Sequence, residues 1–465
     1  MGITLDLVRN VLETSFESFD KFVIERAKDR VIDVMGCAIG GANAPGCSML
    51  LELVARWGGK KEATIIAHGV KVPAHNAAMM NSVMARSYDF EPCGSTVNGK
   101  TTPAHISGTT VPAAFGIAEL KGVSGKDFIT ALILGDDLTS RVIAASNINL
   151  DSGFEPTGIA NMFGATAIAG KLLKLNERQM LHAFGIALNQ VSGTFQNVFD
   201  NAHTFKLPQG LAARGGIFSA ELAEKGFTGV KDALFSTYGY FALYCKNFDT
   251  DFLTKDLGTK FYANNTFKAY PCCRSTHAAI DCSLALIGSN PVDTDNIDEI
   301  IIDVAAIGHD FAVGQPFEIG EVPQANASFS LRYTVADALL RKAVRPEHFT
   351  EEYIRDERIL DLTQKIRLTA TMPPETPLAA EVRVKMKNGD EYAKRVNTPK
   401  GNEVFTPLSP AEKMDKFLTN VACSDTVSLK RATKAVDLIE SIEKIDNMAN
   451  VIKLLIPARD KSPRR

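Results

Sequence analysis

The sequence predicts a mostly α protein with a second α+β domain, arranged as a large all-helical bundle plus a smaller mixed domain. Three observations carry this. Between residues 19 and 225 apolar residues recur at helical spacing in segment after segment. Within those segments small residues dominate, as in Gly164–Gly170 and Gly210–Gly216, so helix backbones can approach closely. After Asn265 the pattern changes to short alternating runs of β-branched residues. A chain of 465 residues with 45% hydrophobic and 23% charged residues is long enough for two or three domains. The boundaries expected are 1–265 for the helical domain, completed by 401–465, and 266–400 for the smaller domain.

Taken in order, Phe19 to Ile39 places Phe22, Val23, Ala27, Val31, Val34, Met35 and Ala38 on a helical repeat that Gly40-Gly41 terminates. Cys47–Trp57 is a second helix, stopped by Gly58-Gly59, and Glu62–Ala67 is strand-like. The Ala- and Met-rich Ala74–Ser87 is a tightly packed helix. It delivers a polar stretch, Arg86–Gly108, in which Pro92, Gly94, Gly99 and Pro103 stop any helix from running through. Asp89, Glu91 and His105 lie in that stretch, and chemistry concentrates on loops held by rigid neighbours. Helices are then expected at 111–121, 125–147 with a Ser124 cap, 160–174, 176–190, 208–225 and 230–244.

Two polar loops interrupt these helices. Asp151–Gly158 puts Glu155 near a helix start, and Phe195–Pro208 carries Lys206 between Phe205 and Leu207. A lysine at a helix N-terminus opposes the macrodipole and asks for an anionic partner. Beyond Asn265 the expected elements are a helix at Thr276–Ile287, strands at Ile297–Ala306, Ile366–Ala370 and Ala380–Met386 with a hairpin turn at Lys387–Asp390, and a helix at Phe329–Lys342. Ser409–Asn450 is helical again and is expected to return to the bundle.

Composition also excludes several functions. The net charge of −3 is spread evenly, so no nucleic-acid face or polybasic membrane anchor is expected, and only Lys461–Arg465 is a basic tail, expected to be disordered. The start of the chain has no signal-like apolar run and nothing reaches membrane-spanning length, so a cytoplasmic protein is expected. Eight scattered cysteines without a Cys-x-x-Cys pair read as reduced thiols, and no metal or nucleotide motif is found.

Seven segments, in this order and spacing, resemble the MmgE/PrpD family: VIDVMGCAIGG (31–41), NAAMMNSVMARSYDFE (76–91), HISG (105–108), FKLPQG (205–210), FKAYPCCRSTHAAID (267–281), SFSLRY (328–333) and GNEVFTPLSPAEKMDKF (401–417). That family includes 2-methylcitrate dehydratase, cis-aconitate decarboxylase and iminodisuccinate epimerase. The resemblance implies a homodimer whose site lies between a helical and an α+β domain and uses no metal or organic cofactor. It aligns Asp89 with the family's D-x-D-D aspartate, His105 with the histidine of H-P-S-G, Lys206 with the lysine of K-P-x-x-x-G, Lys268 with the lysine before Y-P, and Tyr333 with the tyrosine ending S-F-x-x-Y. Three departures stand out: Glu91-Pro92 replaces the later acids, Ile106 replaces a proline, and Glu155-Pro156 stands where the dehydratase and decarboxylase pattern has His-Pro.

The chemistry implied is proton abstraction beside a carboxylate of a small di- or tricarboxylate. This builds a second negative charge, so cations must face it. Lys206 and Lys268 are assigned that role, with Arg274 and His277 as further carboxylate contacts. His105 is assigned as base, Asp89 as its orienting partner, Tyr333 as a proton donor on the opposite face and Glu155 as acid for a leaving hydroxyl. A hydro-lyase of the 2-methylcitrate dehydratase type is the leading expectation. An epimerase or isomerase and a decarboxylase are the alternatives, and a non-enzymatic scaffold comes last.

Overall fold

The computed structural model describes residues 2–148 and 152–457, so the basic tail lies outside the described residues. The helices Lys21–Gly40, Ala74–Arg86, Ser107–Lys121, Gly125–Ser146, Pro156–Leu172 and Leu207–Glu224 are buried on most of their faces. Their close approach is made by glycine. A side chain at Gly216 would strike Ala165, and one at Gly164 would strike Thr139. The expected Ser124 cap is present, its hydroxyl accepting from Asp127 N at 3.1 Å.

One expected helix is absent. Residues 230–244 form turns, with helix only at Tyr240–Tyr244. The Asp232 side chain accepts from the N–H groups of Leu234 and Phe235, an Asx turn that competes with helix, and the Gly229-Val230 backbone is wedged against Gly185.

The stretch Arg86–Gly108 is helix-free from Ser87 to Ile106, yet it is not irregular. Cys93–Val97 and Lys100–Thr102 form a hairpin, and Asn264–Thr266 adds to its other edge, giving the strand order Lys100–Thr102, Cys93–Val97, Asn264–Thr266. A four-stranded sheet follows in the order Ile366–Met372, Ile297–Ala305, Ala380–Met386, Glu391–Val396, in which only the first pair is parallel. The helix His277–Ser289 packs on this sheet, and Leu331–Arg341 packs on that helix. This is the smaller α+β part of the fold. The C-terminal helix Pro410–Ser424 packs on Lys21–Gly40, where Phe417 and Asn420 lie against Gly36 and Gly40. Among the described residues no single helix is long and apolar enough to cross a membrane.

Candidate active site

Three helices are parallel and in register, with their N-termini at one end. At that end Gly108 abuts Gln209 and Gly193 sits between Gly158 and Pro208; two turns further on, Gly116 meets Ile217 and Gly216 meets Ala165. The residues at these three starts are His105, just before Ser107–Lys121; Glu155, the N-cap of Pro156–Leu172; and Lys206, the N-cap of Leu207–Glu224. Pro156 fixes the start of its helix because its missing N–H costs nothing at the first helical position. Three positive dipole ends thus share one region.

The approach helix Ala74–Arg86 delivers the centre of the site. Its last residue, Arg86, directs Nη1 toward Asp89 Oδ1, to Glu91 Oε1 at 2.9 Å and to His105 Nδ1 at 3.0 Å, while Nη2 lies 3.6 Å from Glu155 Oε1. Asp89 holds a left-handed φ of 47° just past the helix end, a strained setting for a non-glycine residue that turns its carboxylate back onto Arg86. Lys268 Nζ meets Asp89 Oδ2 at 2.8 Å and donates to the Asp89 carbonyl at 2.6 Å. Lys416, from the C-terminal helix, clamps the same loop by donating to the Phe90 carbonyl at 2.7 Å while pairing with Asp33 at 2.7 Å. The side chains of Arg86, Asp89, Glu91, Glu155 and Lys268 are at most 5% exposed against 16% for His105, so the imidazole is the member that reaches toward solvent.

These contacts set the protonation states. Burial pushes the Glu91 carboxyl up, but Arg86, His105 and Lys268 together outweigh it, and Glu91 falls well below the usual carboxylate range. Burial and the neighbouring Arg86 and Lys268 charges lower the His105 pKa, favouring neutral imidazole despite Glu91. Burial raises Glu155 to about 7 against the opposing pull of Arg86 and Thr157. One oxygen of Glu155 and one of Glu91 meet no donor. The ligand atoms of Asp89, Glu91 and His105 lie within 4.8 Å of one another, a spacing that also suits a cation. Here Arg86 Nη1 reaches all three and supplies that positive charge.

Lys206 is close by but separate. The residue is 2% exposed, and its ammonium donates to the Pro45 carbonyl at 2.6 Å and lies 3.4 Å from the hydroxyl of Ser87, the residue after Arg86. No carboxylate lies within ion-pair distance among the described residues, and burial lowers its pKa. Arg274 and His277 stand behind Lys268. The Arg274 guanidinium is spent on the carbonyls of Pro399 and Lys400 and on His277 Nδ1, while fully buried His277 is driven well below the usual histidine range. Both are engaged in protein contacts, which take three of the five Arg274 N–H donors and both His277 ring nitrogens.

Tyr333 requires a correction. It is fully buried within the smaller part of the fold, between Phe317 and Phe349, and its hydroxyl donates to the His348 carbonyl. Burial, with Asp337 beside it, raises its pKa far above the ordinary phenol value. Its charged neighbours are Asp337, Arg341 and Asp356, none of which belongs to the cluster. Arg86 and Glu91 carry more of the site than their sequence context suggested. Arg86 was readable as the one charged side chain in the final turns of an otherwise apolar helix. Two surface cavities, of about 240 and 150 Å³, lie elsewhere and are lined by no member of the cluster.

Two family models match the chain. The family model described as the MmgE/PrpD N-terminal domain matches residues 6–253, and the MmgE/PrpD C-terminal domain matches residues 270–441. The chain is 22% identical over 483 aligned residues to cis-aconitate decarboxylase of Aspergillus terreus, covering 98% of this chain and 96% of that protein. It is likewise 22% identical over 481 residues to the cis-aconitate decarboxylase-like protein oryM of Aspergillus oryzae, covering 98% and 97%.

Proposed function

The chain belongs to the MmgE/PrpD family, which includes lyases, and from that premise we propose that it is a lyase acting on a small di- or tricarboxylate, with dehydration as the reaction. The observation that carries this reading is an acid–base cluster balanced in charge, Arg86 and Lys268 against Asp89 and Glu91, beside a buried Lys206 ammonium that lacks a carboxylate. A buried unpaired cation is costly, and an anionic ligand relieves that cost. The three helix N-termini favour the same ligand.

In this reading His105 donates Nδ1–H to Glu91 while the two Arg86 Nη1 hydrogens go to Asp89 and Glu91, so that Arg86 touches Nδ1 without bonding it and Nε2 is left as base. Nε2 takes the proton from the carbon beside a carboxylate, and the electron pair moves into that carboxylate, where Lys206 faces the added charge. The pair then forms the C=C bond as the C–O bond breaks, and the Glu155 carboxyl gives its proton to the departing hydroxyl as water. A pKa near 7 suits that acid. Decarboxylation is the second reading, favoured by the whole-length similarity to proteins named cis-aconitate decarboxylase. There a C–C bond breaks, CO2 leaves, the electron pair of that bond stays on carbon, and the protonated Glu155 carboxyl delivers its proton to it. Homodimerisation is part of the same proposal. Trp57 and Phe218, 47% and 44% exposed, support it, and light scattering tests it.

A panel of hydroxylated and unsaturated di- and tricarboxylates, followed by ultraviolet absorbance of new C=C bonds and by release of CO2, separates the two reactions. Turnover of no member by either route would sink the lyase reading.

A further inference from the structure

A single side-chain amide brackets the histidine of the cluster. Asn264, 2% exposed on the edge strand Asn264–Thr266, accepts through Oδ1 from the N–H groups of Ile106 at 2.9 Å and Ser107 at 2.8 Å. Through Nδ2 it donates to the carbonyls of Ala104 at 2.8 Å and Gly94 at 3.0 Å. Two donors and two acceptors saturate an amide, and the residues held are those on either side of His105. The His105 carbonyl is in turn held by Asn161 Nδ2 at 2.6 Å. The ring therefore leaves a backbone fixed before it, at it and after it.

The same strand leads within four residues to Lys268, which grips Asp89. One β-edge thus sets the base through Asn264 and its charged surroundings through Lys268. Oδ1 also caps two of the open N–H groups of the Ser107–Lys121 helix, a task ordinarily given to a residue next in sequence, here done by one 157 positions away. Nothing local in the sequence announces this.

We propose that Asn264 is a positioning residue, setting the depth and orientation of the His105 imidazole against Glu91 and Arg86. The proposal rests on His105 being the proton carrier, but its test does not need turnover. The charged groups facing His105 are Arg86, Asp89, Glu91 and Lys268, with Glu155 beyond Arg86. In the full-length protein, ¹⁵N-histidine spectra, with the His105 signal assigned by its loss in His105→Ala, report its tautomer and titration. Asn264→Ala should move the His105 titration up toward the ordinary histidine value and mix its tautomers, because the ring drifts out of the cluster. Asn264→Asp keeps the two accepted N–H bonds but loses both donations, and should give a smaller shift in the same direction.

Any activity found with the carboxylate panel should show kcat reduced about 10- to 100-fold in Asn264→Ala, the cost of a misplaced catalytic group, with KM little changed. An unaltered His105 spectrum in folded Asn264→Ala and Asn264→Asp overturns the proposal, and so does failure of both variants to fold, which would make Asn264 a determinant of the fold alone. If His105→Ala retains full activity while the Asn264 variants still shift the spectrum, the proton-carrier reading fails and the positioning geometry stands.

Discussion

Glu155 Oε1 lies 3.6 Å from Arg86 Nη2, while its second oxygen, equally buried, meets no donor at all. A carboxyl so placed is pulled toward ionisation by a guanidinium that is already shared among Asp89, Glu91 and His105, and burial wins. Its pKa of about 7, against 4.5 for the free side chain, means that the folded protein holds a proton there which the unfolded chain releases. The stability linked to that proton is present at low pH and is lost as pH rises from about 4.5 through about 7.

Glu155→Gln removes this titration and keeps the shape. Its melting temperature relative to the parent should rise between pH 5 and pH 8.5, by a linked stability on the order of 3 kcal/mol at full ionisation. Parallel melting curves over that range would show Glu155 to be an ordinary ionised carboxylate. Dehydration should fall at every pH in the same variant, since Gln has no proton to give.

Arg86→Leu should be among the most damaging substitutions in the chain. It leaves Asp89 and Glu91 buried with one cation fewer, at a cost of about 3–5 kcal/mol. Arg86→Lys keeps the charge but loses the planar fork that reaches several partners, so activity should drop with a smaller loss of stability. Calorimetry that finds Arg86→Leu as stable as the parent would contradict the network.

Tyr333→Phe separates structure from chemistry. The His348 carbonyl loses its donor, so about 1–3 kcal/mol of stability should go, with kcat within about threefold of the parent. A hundredfold fall in kcat in the folded variant would return Tyr333 to the proton-transfer role its sequence position suggested.

Proton abstraction can be followed before the reaction is identified. In D2O a bound dicarboxylate with an acidic α-hydrogen should exchange it, and His105→Ala should slow exchange by about 10²–10⁴-fold. Lys206→Ala removes charge stabilisation instead and should cost about as much. Undiminished exchange in both variants on a verified substrate would place the proton on another group.

The sequence made the helical domain legible because buried helices repeat with a sharp period, and made Lys206 legible because an ammonium at a helix start is out of place. The 230–244 segment misled for the converse reason. Its apolar residues permit a helix, while the Asp232 side chain closes a local turn instead and the wedge at Gly229-Val230 depends on a partner, Gly185, far away in sequence. Tyr333 misled because matching a motif fixes a position along the chain and not where the side chain points. Asn264 could not be found from sequence at all, since each of its four bonds spans about 160 residues or more.

The parallel trio of helices separates scaffold from reagent. Each start presents one side chain from a backbone locked by glycine contacts further down, so exchanging the residue at 155 alters what the site carries without moving the frame. In the related pattern that position is a histidine and here it is a carboxyl. On the proposed role of Glu155 as the acid, a single substitution at this cap changes the reagent with no loop remodelled, and residue 155 is where a change of reaction is expected to be reached first.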